Sequence, residues 1–167
     1  MRYFVLAAVM AVTTGCATNS VMHSSRSVPD EQTYTYTIDR AEDMSVAGLD
    51  EFRKSLDAAL VEANLRVQEG ATDVPANVTI AIDNYYMRHG AARALVGIMA
   101  GRDNIRSTVT VRKSDGEQVA LFEVESTNPT AWGTSAGLIE KHAQEIVDRL
   151  LSLKASRASA EARSNTQ

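Results

Sequence analysis

Apolar residues recur every third or fourth position in residues 46–65 and again in 135–153, and every second position in the stretches before and between them. A chain that alternates these two periods has to bury one stripe of each helix against one face of a sheet. In the first helical stretch Leu49, Phe52, Leu56, Ala59, Leu60 and Ala63 share a face, with Asp50, Glu51, Lys54, Asp57 and Glu62 outside it. Ser45 is placed to cap its N-terminus, and Asp50 with Glu51 suit the positive end of the helix dipole. In the second, Ile139, Ala143, Ile146, Val147 and Leu150 form the stripe, and Arg149 with Lys154 suit its negative end.

Period two runs through Thr33-Tyr34-Thr35-Tyr36-Thr37-Ile38, then through Val78, Ile80 and Ile82, then through residues 105–111 and 119–125. Between the last two, Ser114-Asp115-Gly116-Glu117 is a hairpin turn, because Asp-Gly supplies the positive φ that tight turns need. The order β-α-β-β-β-α predicts an α+β two-layer sandwich, with an antiparallel-rich sheet of about four strands and two amphipathic helices on one face.

The chain begins with a basic Met1-Arg2 and an apolar run from Tyr3 to Val12, then reads Thr13-Thr14-Gly15-Cys16. An apolar run of about ten residues is the length of a secretory h-region, whereas a spanning helix needs roughly 17 to 25. Gly15-Cys16 resembles the bacterial lipobox, in which small residues precede a cysteine that is acylated after cleavage. Thr13 departs from the Leu which that motif prefers. Cys16 is the sole cysteine, so no internal disulfide competes for it. Residues 1–15 are therefore expected to be a lipoprotein signal peptide and Cys16 the lipidation site; an ordinary signal peptide cut elsewhere, or a buried free thiol, is the other reading. Ala17, where an Asp would signal retention at the inner membrane, points to the outer membrane, periplasmic face.

Residues 16–32, with Ser, Thr, Asn and a Pro but no apolar periodicity, read as the lipidated cysteine and a flexible tether. Residues 33–154 then form a single domain, and the Ala-, Ser- and Arg-rich residues 155–167 a disordered tail. The net charge of -4, without a basic cluster interleaved with aromatics, argues against nucleic acid as a partner.

Several short motifs together resemble a family of bacterial lipoproteins known as domain of unknown function 4410. They are Phe52-Arg53-Lys54-Ser55-Leu56 with Leu60, then Leu95-Val96-Gly97 through Ala100-Gly101-Arg102 leading into a strand. Asp115-Gly116 and a glycine-bearing entry to the last helix, Gly133 and Gly137, complete them. The resemblance covers roughly residues 46–151. The turn Lys113-Ser114-Asp115-Gly116 is shorter than the Asp-x-x-Thr-Gly turn of such families. The resemblance implies an envelope lipoprotein of unassigned role and supplies no catalytic residues.

No arrangement of residues carries an obvious chemistry. His23, His89 and His142 fall in three separate segments, and the i±4 neighbours of His142 are Leu138 and Ile146, so no metal site or other cofactor is expected. There is no Gly-x-Ser-x-Gly elbow. Asp39, Glu42 and Asp43 cluster after the first strand but read as a solvated turn. Residues 88–102 are apolar in the middle, rich in Gly and bounded by Arg; Gly97 and Gly101 lack the phosphate-loop Lys-Ser/Thr.

The expected function is a non-enzymatic interaction or assembly module held to the membrane through Cys16, with another envelope protein as partner. The candidate docking residues are Arg93, Leu95, Val96, Gly97, Gly101 and Arg102. The alternative is a periplasmic module binding a small molecule or lipid, with Tyr85, Tyr86 and Trp132 as walls. An envelope enzyme is the third reading, and no catalytic residue is assigned.

Overall fold

The computed structural model describes residues 16–26, 28, 32–67, 74–88, 102–128 and 134–164, the last ten of these by backbone alone. Seven elements follow one another: β1 Ala17–Ser25, β2 Tyr34–Asp39, α1 Val46–Glu62, β3 Ala76–Tyr86, β4 Asp103–Arg112, β5 Gln118–Asn128 and α2 Ser135–Ser164. The strands form one mixed sheet in the order β1-β5-β4-β3-β2. Pairs β1–β5, β5–β4 and β4–β3 are antiparallel, and β2 lies parallel to β3.

Two expectations are corrected, and one pairing that the sequence left open is decided. The sheet has five strands where about four were expected, and the fifth comes from the segment read as a tether: Ala17 to Ser25 pair with β5. The inward residues of β1 are Thr18, Ser20 and Met22, so alternation there carries almost no polarity contrast and left no period-two signal. Its inward face is instead held by polar contacts, Thr18 Oγ1 lying 3.1 Å from Ser126 Oγ and Ser20 meeting Glu145 and Arg149.

Second, β2 and β3 are parallel because α1 is the crossover between them, which returns the chain to the same end of the sheet before β3 starts. Third, α2 does not stop near Leu153 but continues to Ser164. Ala, Arg and Glu are strong helix formers and carry the helix past its packed stripe. Arg149 and Lys154 therefore sit mid-helix; Arg149 donates from Nε to Glu145 at 3.1 Å and to Ser20 Oγ at 2.5 Å.

The α1 expectations hold in their packing and fail in one charge argument. Ser45 Oγ accepts from Gly48 N–H at 3.1 Å, as a cap should. The first turn contains no acid, since Asp50 and Glu51 start beyond it. The C-terminus, unmarked by Gly or Pro, closes through Asn64 in the left-handed region (φ 54°). Asn64 N–H then reaches Val61 O at 3.1 Å and Leu65 N–H reaches Leu60 O at 2.9 Å.

Both helices bury their stripes in one core with the inward side chains of the sheet: Phe52, Leu56 and Leu60 from α1, Leu138, Ile146 and Leu150 from α2, and Val78, Ile80, Val109 and Phe122 from the strands. The opposite face is polar, with contacts such as Thr108 to Asp83 and Asn104 to Glu125, both 2.8 Å. The hairpin is as expected, with Gly116 at φ 88°.

Candidate functional site

Register brings one end of the sheet together around Cys16. Ala17 is opposite Thr127, Thr127 opposite Asn104, and Asn104 opposite Tyr86, so a single row crosses four strands. Just beyond that row lie Cys16, Asn128, Asp103 and Met87. Cys16 is half-buried and packs against the core. With strands about 4.8 Å apart, Cys16 and Met87 are separated by about 14 Å across the sheet.

The core at this end is polar. Arg88 and Asp103 are both buried, their side chains 1% and 0% exposed. Arg88 donates from its backbone N–H to Asp103 Oδ1 at 2.8 Å, from Nε to the same oxygen at 3.1 Å, and from Nη2 to Oδ2 at 3.4 Å and to the Asn128 carbonyl at 3.3 Å. A charge pair taken out of water this far is stable only when its remaining donors and acceptors are met, and the fork of Arg meets two strand ends at once. The pair thus closes the base of the connection between β3 and β4.

One layer deeper, His142 of α2 is sealed between the helix and the sheet. Its Nε2 lies 2.7 Å from Ser107 Oγ on β4 and its Nδ1 2.9 Å from Ser126 Oγ on β5. Desolvation pushes its pKa down to about 3. The ring is therefore neutral, donating at one nitrogen and accepting at the other, and Phe52 of α1 packs beside it with centroids 6.0 Å apart.

A cleft of about 500 Å3 opens beside Arg88, walled by Asp43, Ser45, Tyr85, Tyr86, Met87 and Ser135. Tyr85 is buried and Tyr86 exposed, as neighbours on a strand alternate, and the bulge between Ile82 and Asn84 shifts the phase of β3 so that Tyr85 and not Tyr86 faces inward. Burial raises the pKa of Tyr85, and the nearby Asp103 and Asp43 raise it further. The first turn of α1 approaches Tyr85 so closely that a Cβ on Gly48 would lie 2.5 Å from its hydroxyl.

Among the residues singled out from sequence, Arg102 is exposed next to Asp103. Arg93, Leu95, Val96, Gly97 and Gly101 lie outside the described residues, as do His89 and Trp132. Asp39, Glu42 and Asp43 are all exposed, and only Asp43 reaches the cleft. His23 stands on the outer face of β1 with Nε2 3.1 Å from Glu123, away from His142. Sequence reasoning missed the Arg88–Asp103 pair and the Ser107–His142–Ser126 bridge. The available signal was weak: Ser107 and Ser126 fall in phase with apolar residues along their strands, and His142 interrupts an apolar stripe.

Among the described residues no helix is long and apolar enough to cross a membrane. No curated protein matches the sequence. Two crystal forms of the PelC dodecamer from Paraburkholderia phytofirmans, one of them a point variant, share the fold. Each has a TM-score of 0.55 at 10% identity, over 78% of this chain and 95% of that one. A minor lipoprotein from Acinetobacter baumannii is a looser match, with a TM-score of 0.36 at 14% identity over 76% of this chain and 95% of that one. The family described as a domain of unknown function, DUF4410, matches residues 21–131, starting within β1 and ending before α2. The chain belongs to the DUF4410 family.

Proposed function

We propose that this chain is a non-enzymatic lipoprotein of the cell envelope, acylated at Cys16, held on the periplasmic face of the outer membrane and acting as an interaction or assembly module. The observation that carries this reading is the join between anchor and fold. Gly15-Cys16 is the lipobox-like pair, and β1 begins at Ala17, so an acyl group on Cys16 is attached directly to a paired strand. Two or more acyl chains hold a protein to a bilayer where one does so only marginally.

The non-enzymatic part rests on access. The Ser–His contacts at His142 have the residue types of a nucleophile and base, but His142, Ser107 and Ser126 are all fully buried, and a nucleophile has to meet its substrate. The partner is another envelope protein or a second copy of the chain, the latter because the fold is shared with a protein that forms a dodecamer. The apolar segment Ala91 to Gly101 is the docking segment in this reading.

Palmitate labelling, membrane fractionation and in-cell crosslinking on the full chain test it. The wild type takes label, sediments with outer membrane and recovers a defined partner or its own oligomer, whereas Cys16→Ala does none of these. Val96→Asp keeps the label and loses the partner. A wild type without label removes the anchor, and partner recovery unchanged by Val96→Asp removes the docking segment.

A second reading, a binding module for a small molecule or lipid, is favoured by the cleft beside Arg88, which combines an aromatic wall with a buried guanidinium at its base. Native mass spectrometry of the detergent-free protein separates the two, through a persistent bound mass in this case and a bare chain in the other.

A further inference from the structure

We infer that the end of the sheet that carries Cys16 lies in contact with the lipid surface, so that the domain stands on the membrane with its strands pointing away from it. The inference rests on the reading of Cys16 as the acylated residue and goes beyond it, because an anchor alone leaves orientation free.

The missing tether sets the geometry. Between Cys16 and the first ladder residue, Ala17 opposite Thr127, there is no spare chain. An acyl group on the Cys16 thioether therefore has to enter the bilayer beside the Ala17 end of the row Ala17–Thr127–Asn104–Tyr86. A flexible tether of a dozen residues would allow tens of ångströms of separation; a paired strand does not.

What this end presents fits an interfacial position. Tyr86 is 50% exposed at the end of β3, on the sheet layer, and Val46 is 64% exposed at the start of α1, on the helix layer. They bracket the end from its two layers, and an exposed tyrosine is suited to the headgroup region, where its ring is apolar and its hydroxyl wet. Among the described residues charge at this end is mixed, with exposed Arg102 beside the start of β4 and exposed Asp43 lining the cleft, so contact is driven by the anchor and by apolar area more than by anionic lipid. The opposite end carries exposed Val61 at the end of α1, about 22 Å along the helix from Val46, and Val74 before β3, about 40 Å along the strand from Tyr86.

Depth-resolved fluorescence on the full lipidated chain tests the orientation. In a Trp132→Phe background, single tryptophans are introduced as Tyr86→Trp, Val46→Trp, Val61→Trp and Val74→Trp, and each purified protein is reconstituted into phosphatidylcholine vesicles with and without dibrominated acyl chains. Tryptophan at 86 and 46 is expected to be quenched several-fold more than at 61 and 74, to the same extent when phosphatidylglycerol is added. Equal quenching at both ends, or none at 86 and 46 in protein whose mass shows the acyl chains, overturns the orientation and leaves the anchor standing. A mass without acyl chains at Cys16 removes the anchor itself, and this inference with it.

Discussion

At the scale of single residues, the buried polar groups include neutral His142 between its two serines and the charged pair Arg88–Asp103, and these respond differently to change. His142 has a folded pKa near 3 against an ordinary value of 6.5, so the unfolded chain binds the extra proton first. Its contribution is therefore fully present above about pH 6.5 and falls as pH drops toward 3. From this group alone, stability at pH 5 is expected to be about 2 kcal/mol lower than at pH 7. Urea unfolding at the two pH values checks this against His142→Gln, which keeps a polar side chain but does not titrate; the same pH loss in the variant rules out His142 as its source. Asp103→Asn leaves Arg88 buried opposite a neutral amide and is expected to cost about 3–5 kcal/mol, measured by denaturant midpoint. Gly48→Ala places a methyl against the Tyr85 ring and is expected to cost about 1–3 kcal/mol by the same measurement, although Ala is the better helix former.

At the scale of elements, β1 marks the difference between pattern and pairing. Its outward residues Ala17, Asn19 and Val21 and inward residues Thr18, Ser20 and Met22 differ little in polarity, so nothing in the local sequence distinguishes a strand from a tether. Pairing comes from β5, which without β1 would present an open edge of eleven residues. Hydrogen exchange measured by NMR is expected to show alternate amides of Ala17–Ser25 protected, those directed at β5, whereas a flexible tether would leave all of them exchanging freely. The helices and the remaining strands were legible because each has one apolar face: Phe52, Leu56 and Leu60, or Val78, Ile80 and Ile82, announce both the period and the side that is buried. The ends were less legible. Asn64 ends α1 by adopting a left-handed conformation that Asn tolerates, and α2 outruns its apolar stripe because helix propensity persists beyond it.

At the scale of the whole molecule, the two sheet edges are β1 and β2, and the polar end of the core, the cleft and Cys16 share one end of the sheet. For a lipid-anchored chain this leaves the edges along the flanks, available to a neighbour, while one end meets the bilayer. The amino-acid sequence alone determined the export-like start and its cysteine, the two helices, four of the strands and the hairpin at Gly116, because each is written in local periodicity or in a residue with a special backbone preference. Only the tertiary structure decided that Ala17–Ser25 is a strand, that β2 lies parallel to β3, and that Arg88 meets Asp103 and His142 meets Ser107 and Ser126. Those contacts join residues far apart in the chain whose polarity argues locally for exposure. They are buried because partners on neighbouring strands and on α2 satisfy them, and that satisfaction exists only once the sheet and helices have assembled.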